Sequence, residues 1–244
     1  MESRLGLDIL PQPTETTCGP TCLHAVYRYF GDDVDLASVI REVPALATGG
    51  TLAVNLGCHA LARGYEARIY TYDLQVFDPT WFVGLDVDLA AKLREQASHK
   101  RGARLEAATA AYLDFLARGG EIRLEDLTPA LIRKHLKRGL PILTGLSATY
   151  LYRAMREFGP NDVEDDVRGE PAGHFVVLCG YDRESRGVLI ADPVNPNPLF
   201  PGRSYMVNVD RLIGAILLGV LTYDAVFLVV RPRARRDAPP ATGD

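Results

Sequence analysis

The sequence has little that would tie it to nucleic acid, to a membrane or to the secretory route. Basic residues are outnumbered, 27 Lys+Arg against 31 Asp+Glu for a formal net charge of −4, so the basic face of a general nucleic-acid binder is not expected. The opening MESRLGLDIL has no basic segment followed by an apolar one, and a secretory signal is not expected there. The longest apolar-looking stretch, residues 212–230, is broken by Gly214, Gly219, Thr222 and Asp224. It reads as a helix followed by a strand rather than a membrane span. Cysteine is scarce. Four in 244 residues (Cys18, Cys22, Cys58 and Cys179) do not make a disulfide framework. Cys18 and Cys22 lie four apart on one expected helix, where a bridge would be strained. The expectation is a cytoplasmic protein with reduced thiols. Several catalytic signatures are also missing: G-x-S-x-G, H-E-x-x-H, G-x-x-x-x-G-K-[ST] and G-x-G-x-x-G.

What is present is an ordinary globular composition, 47% hydrophobic and 24% charged, on a chain long enough to bury a core without staples. No internal repeat interrupts it. The final RPRARRDAPPATGD places Arg231, Arg233, Arg235 and Arg236 ahead of a Pro/Ala/Gly stretch. This predicts a single domain over 1–232 and a disordered tail over 233–244.

The hydrophobic period changes along the chain. Residues 18–30 carry Cys22, Leu23, Val26, Tyr29 and Phe30 at helical spacing, with Gly31 as the stop. Asp35 is placed to cap a second helix, and Thr51 opens a third that ends at Gly64. Residues 66–72 then read as a strand. Helical patterns return around Leu89 and Leu93, and around Leu105, Tyr112 and Leu116, so a helical insertion is expected at about 83–127. Thr128 and Pro129 start one more helix. After residue 140 the runs become short and rich in Val, Ile, Leu and aromatics (140–146, 174–181, 188–191, 205–209, 225–230), separated by Gly, Asp and Pro. Helices first and strands last predict an α+β fold with a largely antiparallel sheet.

The chemistry concentrates at QPTETTCGPTCL, residues 12–23. A thiolate is the nucleophilic form of cysteine, and an unperturbed thiol is only a few per cent ionised at neutral pH. A cysteine in the first turn of a helix faces unpaired N–H groups and the positive dipole end. Cys18 has that setting, with Gly19 allowing close backbone approach and Pro20 wasting no N–H. Amide hydrolysis also needs a proton donor for the leaving amine. Of five histidines, His174 has the best setting, opening a strand after Gly173. Asp192 closes the next strand, and a hairpin turning around 182–187 would return it to His174. Asp192 could then hold one ring nitrogen and leave the other for Cys18. The Gln12 amide could share with the Cys18 N–H the task of stabilising an oxyanion.

These blocks together resemble the C39 peptidases, papain-like cysteine proteases best known as the leader-cleaving domain of bacteriocin-exporting ABC transporters. The likeness rests on Gln12 with Cys18, Gly19, Pro20, Thr21, Cys22 and Leu23; on Gly173 and His174 with Gly180, Tyr181 and Asp182; and on Val188 to Pro193. It covers about 10–72 and 140–198. It implies a papain-like fold in which an N-terminal helical half carrying the nucleophile helix packs on the C-terminal sheet. It also implies peptide-bond hydrolysis through a thioacyl-enzyme on a peptide or protein substrate, with no metal or organic cofactor. No P-loop or membrane domain accompanies the likeness, so a transporter-coupled role is not expected and the double-glycine preference is not carried over.

Competing expectations stand beside this one. The scaffold could transfer the acyl group to an amine, or bind peptides without turnover. Cys22, Cys58 and Cys179 read as small buried hydrophobes. A zinc site from Cys18, Cys22, Cys58 and His59 has loose spacing for a structural metal. His24, His99 and His135 are expected on solvated helical surfaces. Residues 161–170 hold Asp162, Glu164, Asp165, Asp166 and Glu170 against Arg168. This segment is a solvated loop or, because it leads to His174, an overhang on the cleft that favours cationic peptides.

Overall fold

The computed structural model describes residues 2–46, 49–84, 87–223 and 225–233. The expected tail, apart from Arg233, lies outside them. A two-residue strand β1 (Ser3–Arg4) precedes helices α1 (Cys18–Tyr29), α2 (Leu36–Glu42) and α3 (Ala53–Ala62). Asp35 caps α2 by accepting the Ser38 N–H at 3.0 Å. Strand β2 (Tyr65–Thr71) follows, then the inserted helices α4 (Leu89–His99) and α5 (Ala103–Ala117) and the short strand β3 (Glu121–Arg123). Thr128 caps α6 (Pro129–Leu136) through the Leu131 N–H. Pro129 occupies the first turn, where the helix needs no donor.

The remaining chain builds most of the sheet. Strand β4 (Ile142–Ser147) leads into α7 (Ala148–Tyr152) and a small hairpin, β5 (Glu157–Phe158) with β6 (Val163–Glu164). Strands β7 (Gly173–Asp182), β8 (Gly187–Ala191) and β9 (Ser204–Asn208) come next, then α8 (Val209–Leu218) and β10 (Val226–Pro232). The main sheet runs β3-β2-β10-β4-β7-β8-β9, with β1 added to the end of β7. Among the described residues only β2 and β3 pair parallel; the other pairs are antiparallel.

Alternation along the strands divides the interior in two. Phe175, Val177 and Cys179 of β7 join the core formed with α1, α3 and α5. Val176 and Leu178 join the core formed with α6, α7 and α8. The sheet is therefore covered on both faces, giving a mixed α+β architecture.

Three features differ from the pattern in the sequence. Strand β2, from the helical half, sits inside the sheet between β3 and β10 rather than beside it. The region 150–172, which has no period, contains the end of α7 and the β5–β6 hairpin, elements too short to generate one. His24 and His135 are buried, 4% and 2% exposed, rather than solvated. The cause is packing: α1 lies against β7 as well as α2 and α3, and His135 packs edge-on to Tyr70 and hydrogen-bonds its hydroxyl at 3.1 Å.

Candidate active site

Helix α1 begins at Cys18 itself. Thr17, the residue before it, makes no side-chain cap; its hydroxyl instead donates to the Thr14 carbonyl at 2.8 Å. The positive end of the helix is thus directed at the sulfur without a competing side-chain oxygen. A Cβ on Gly19 would meet Thr51 Cγ2 at 2.8 Å and Phe175 Cδ2 at 3.3 Å. The absence of a side chain there lets the helix start close on β7. One turn later the fully buried Cys22 thiol donates to the Phe175 carbonyl at 3.2 Å. This bond fastens α1 to the residue next to His174.

His174 is the second residue of β7, only 7% exposed, and its Nε2 lies 2.8 Å from Asp192 Oδ1. Cys18 also acts on this imidazole, and with Nε2 held by Asp192 the nitrogen left for the sulfur is Nδ1. Burial alone would lower the imidazole pKa. The hydrogen bonds and charges of Asp192 and Cys18 outweigh it and carry the value up to about 10. The β7–β8 hairpin makes this meeting possible: Asp182 pairs with Gly187 at its turn, and Val177 pairs with Ala191 just before Asp192.

Asp192 is fully buried and heavily bonded. Beyond His174 it accepts from the Val194 N–H at 3.0 Å, the Tyr152 hydroxyl at 2.6 Å, the Asn197 amide at 3.1 Å and the Tyr205 hydroxyl. Burial opposes its charge, but these donors hold its carboxyl below the usual range. Burial and the Asp192 charge push both tyrosines far up, so they stay protonated donors. None of the three side chains around Asp192 was singled out in the sequence. Tyr152 falls in the aperiodic region, and Tyr205 reads simply as a strand aromatic. Tyr152→Phe removes one charge-assisted bond and is expected to cost about 1.5–3 kcal/mol. Urea unfolding will show this as a lower midpoint at unchanged m-value; an unchanged midpoint would mean the hydroxyl carries no weight.

Gln12 is tied to the same neighbourhood. Its N–H donates to the Pro193 carbonyl at 2.9 Å, one residue past Asp192. Its Nε2 donates to the Glu15 carbonyl at 3.3 Å, and its Oε1 is buried without a partner. One amide hydrogen remains free, and among the described residues no hydrogen bond joins this side chain to Cys18. The sulfur opens onto a cleft of about 460 Å³, walled by Thr16, Gly49, Gly50, Thr51 and Phe175.

The other thiols differ in setting. Burial raises Cys22 well above the ordinary thiol value and pushes Cys58 and Cys179 up to about 12. Cys58 turns toward the Ala111 carbonyl, whereas His59 bonds Tyr27 and Glu42, so this adjacent pair points to separate partners.

The architecture is of the papain-like type: helix α1, beginning at Cys18, is set against a largely antiparallel sheet that carries His174 and leads into Asp192. The chain belongs to the Peptidase_C39 like family, whose family model matches residues 4–199. That membership supports a peptidase-type function. Among solved structures, a putative C39-like peptidase from Bacillus anthracis is similar in fold, with a TM-score of 0.52 at 14% identity, covering 96% of this chain and 98% of that one. A double glycine motif protease from an AMS/PCAT transporter, solved with its leader peptide, aligns at 0.46 with 15% identity and 94% of each chain covered. The peptidase domain of Streptococcus ComA aligns at 0.45 with 14% identity, over 93% of this chain and 99% of that one. No curated protein matches the sequence. Among the described residues, no helix is long and apolar enough to cross a membrane.

Proposed function

We propose that the chain is a cysteine peptidase that hydrolyses peptide bonds through a thioacyl-enzyme. The observation that carries this is the buried sequence of contacts from Cys18 through His174 to Asp192. His174 receives the thiol proton, and the sulfur attacks the scissile carbonyl carbon. The tetrahedral oxyanion forms against the first-turn N–H of Cys18 and the free Gln12 amide hydrogen. His174 then passes its proton to the leaving amine. Water, activated by the same imidazole, releases the acyl group. Asp192 stays ionised throughout and holds the imidazole's orientation. All four cysteines are free, which supports a reducing compartment.

The test is incubation of wild type and Cys18→Ala with a diverse peptide pool, with and without an added amine, read by mass spectrometry. Cysteine-dependent hydrolysis is expected. Amine adducts in place of acids would make it an acyl transferase, and retention without products would make it a binding module. Gln12→Ala is expected to lower kcat by about 10²–10³ with little change in KM, the usual cost of one oxyanion donor. An unaltered kcat would remove Gln12 from the mechanism.

A further inference from the structure

We propose that the cleft selects peptides bearing a lysine or arginine close to the scissile bond, a selectivity that rests on the peptidase reading of the same cleft. Two segments distant in sequence bring carboxylates to its walls. Glu15 comes from the loop entering α1, three residues before the nucleophile. Asp162 lies in the turn of the β5–β6 hairpin, and Glu170 lies beside Pro171 and Gly173 just ahead of His174. Only part of the acidic segment takes part. Asp165 is consumed inside its own turn by the N–H groups of Val167 and Arg168 and by the Arg168 guanidinium.

The three lining carboxylates have no ion-pair partner among the described residues, in contrast to Glu66, Asp114, Glu121 and Asp210. The charges of Glu15 and Asp162 are felt behind the wall. The half-buried Glu157 has its pKa raised by burial and then by Asp162, Glu15 and Glu164. Arg104 is the one cation among the lining residues, and its guanidinium is held at the far side of the cleft by its neighbours. It donates to the Thr222 carbonyl, and its guanidinium lies 4.9 Å from the Tyr223 ring centre. With three carboxylates against one guanidinium, a substrate cation entering this cleft meets a net negative wall, whereas a substrate carboxylate meets net repulsion.

Selection is read most directly on the Cys18→Ala protein, because binding does not require turnover. Matched peptides that differ only by Lys or Arg against Gln are competed at low salt. The cationic member is expected to bind about tenfold more tightly, several exposed pairs each adding a fraction of a kcal/mol. On that background Glu15→Gln, Asp162→Asn and Glu170→Gln together bring the ratio toward one, each single substitution covers part of the way, and added salt does the same. Asp166→Asn, in the same segment but not on the cleft wall, keeps the ratio. A ratio near one in the starting protein overturns the proposal, as does an equal loss on Asp166→Asn, which would indicate general charge attraction. Wild-type cleavage is scored separately: a binding preference without hydrolysis refutes the peptidase reading and still supports cationic selection.

Discussion

Cys18→Ala is expected to abolish turnover while leaving the fold intact. In hydrolases whose nucleophile and base act as a unit, loss of the nucleophile alone costs on the order of 10⁶ in kcat. Stability is expected to change by no more than about 1 kcal/mol, because one sulfur is lost and no buried partner other than His174 is stranded. Urea unfolding and kcat/KM measured on the same preparations separate the two effects. The four thiols also supply an internal comparison. Iodoacetamide near neutral pH is expected to label Cys18 first, since Cys22, Cys58 and Cys179 are all raised by burial. Equal labelling of Cys58 and Cys18 would contradict the nucleophile assignment.

Asp192→Asn is the second large effect, and donor counting explains it. Oδ1 accepts from His174 and Val194, and Oδ2 from Tyr152, Tyr205 and Asn197. An asparagine must turn its NH2 to one of these sets. Tyrosine hydroxyls can accept as well as donate, so the NH2 goes to them and the oxygen keeps His174, at the cost of the Asn197 amide's acceptor. Geometry largely survives, and the charge is lost. A kcat fall of about 10⁴ is expected, as for other triads whose carboxylate is made an amide. The pH profile shows the cause. The folded imidazole pKa is carried up to about 10, above its value of about 6.5 in an unfolded chain. The stabilisation it contributes is therefore complete below about pH 6.5 and is lost as pH rises through about 10. Without the carboxylate the folded value drops, and the alkaline limb of kcat/KM moves to lower pH. A limb that stays in place would show that Asp192 does not set the imidazole's charge.

Much of this was legible in the residues, for identifiable reasons. The start of α1 at Cys18, the Asp35 and Thr128 caps and the 182–187 turn depend on local chemistry, which a sequence displays directly. The pairing of His174 with Asp192 follows from strand period and one hairpin. The surroundings of Asp192 do not, because Tyr152, Asn197 and Tyr205 arrive from three separate elements whose convergence is tertiary. Glu15 is a similar case: its part in the cleft wall depends on a hairpin some 150 residues further along. His24 lies on a helix buried on nearly every side, where period separates no faces, whereas His135 shares the buried face of α6 with Leu131, Ile132 and Leu136, where residue type alone points to water.

The position of β10 has a consequence for biosynthesis. This strand, 226–232, inserts between β2 and β4, so a growing polypeptide that has not reached it exposes two open strand edges, ready templates for pairing with a neighbour. Closure joins segments more than 150 positions apart, an arrangement that slows folding. A nascent molecule on the ribosome is therefore expected to need shielding by a chaperone until its late strand emerges, and release from that shield is when the closed sheet first exists.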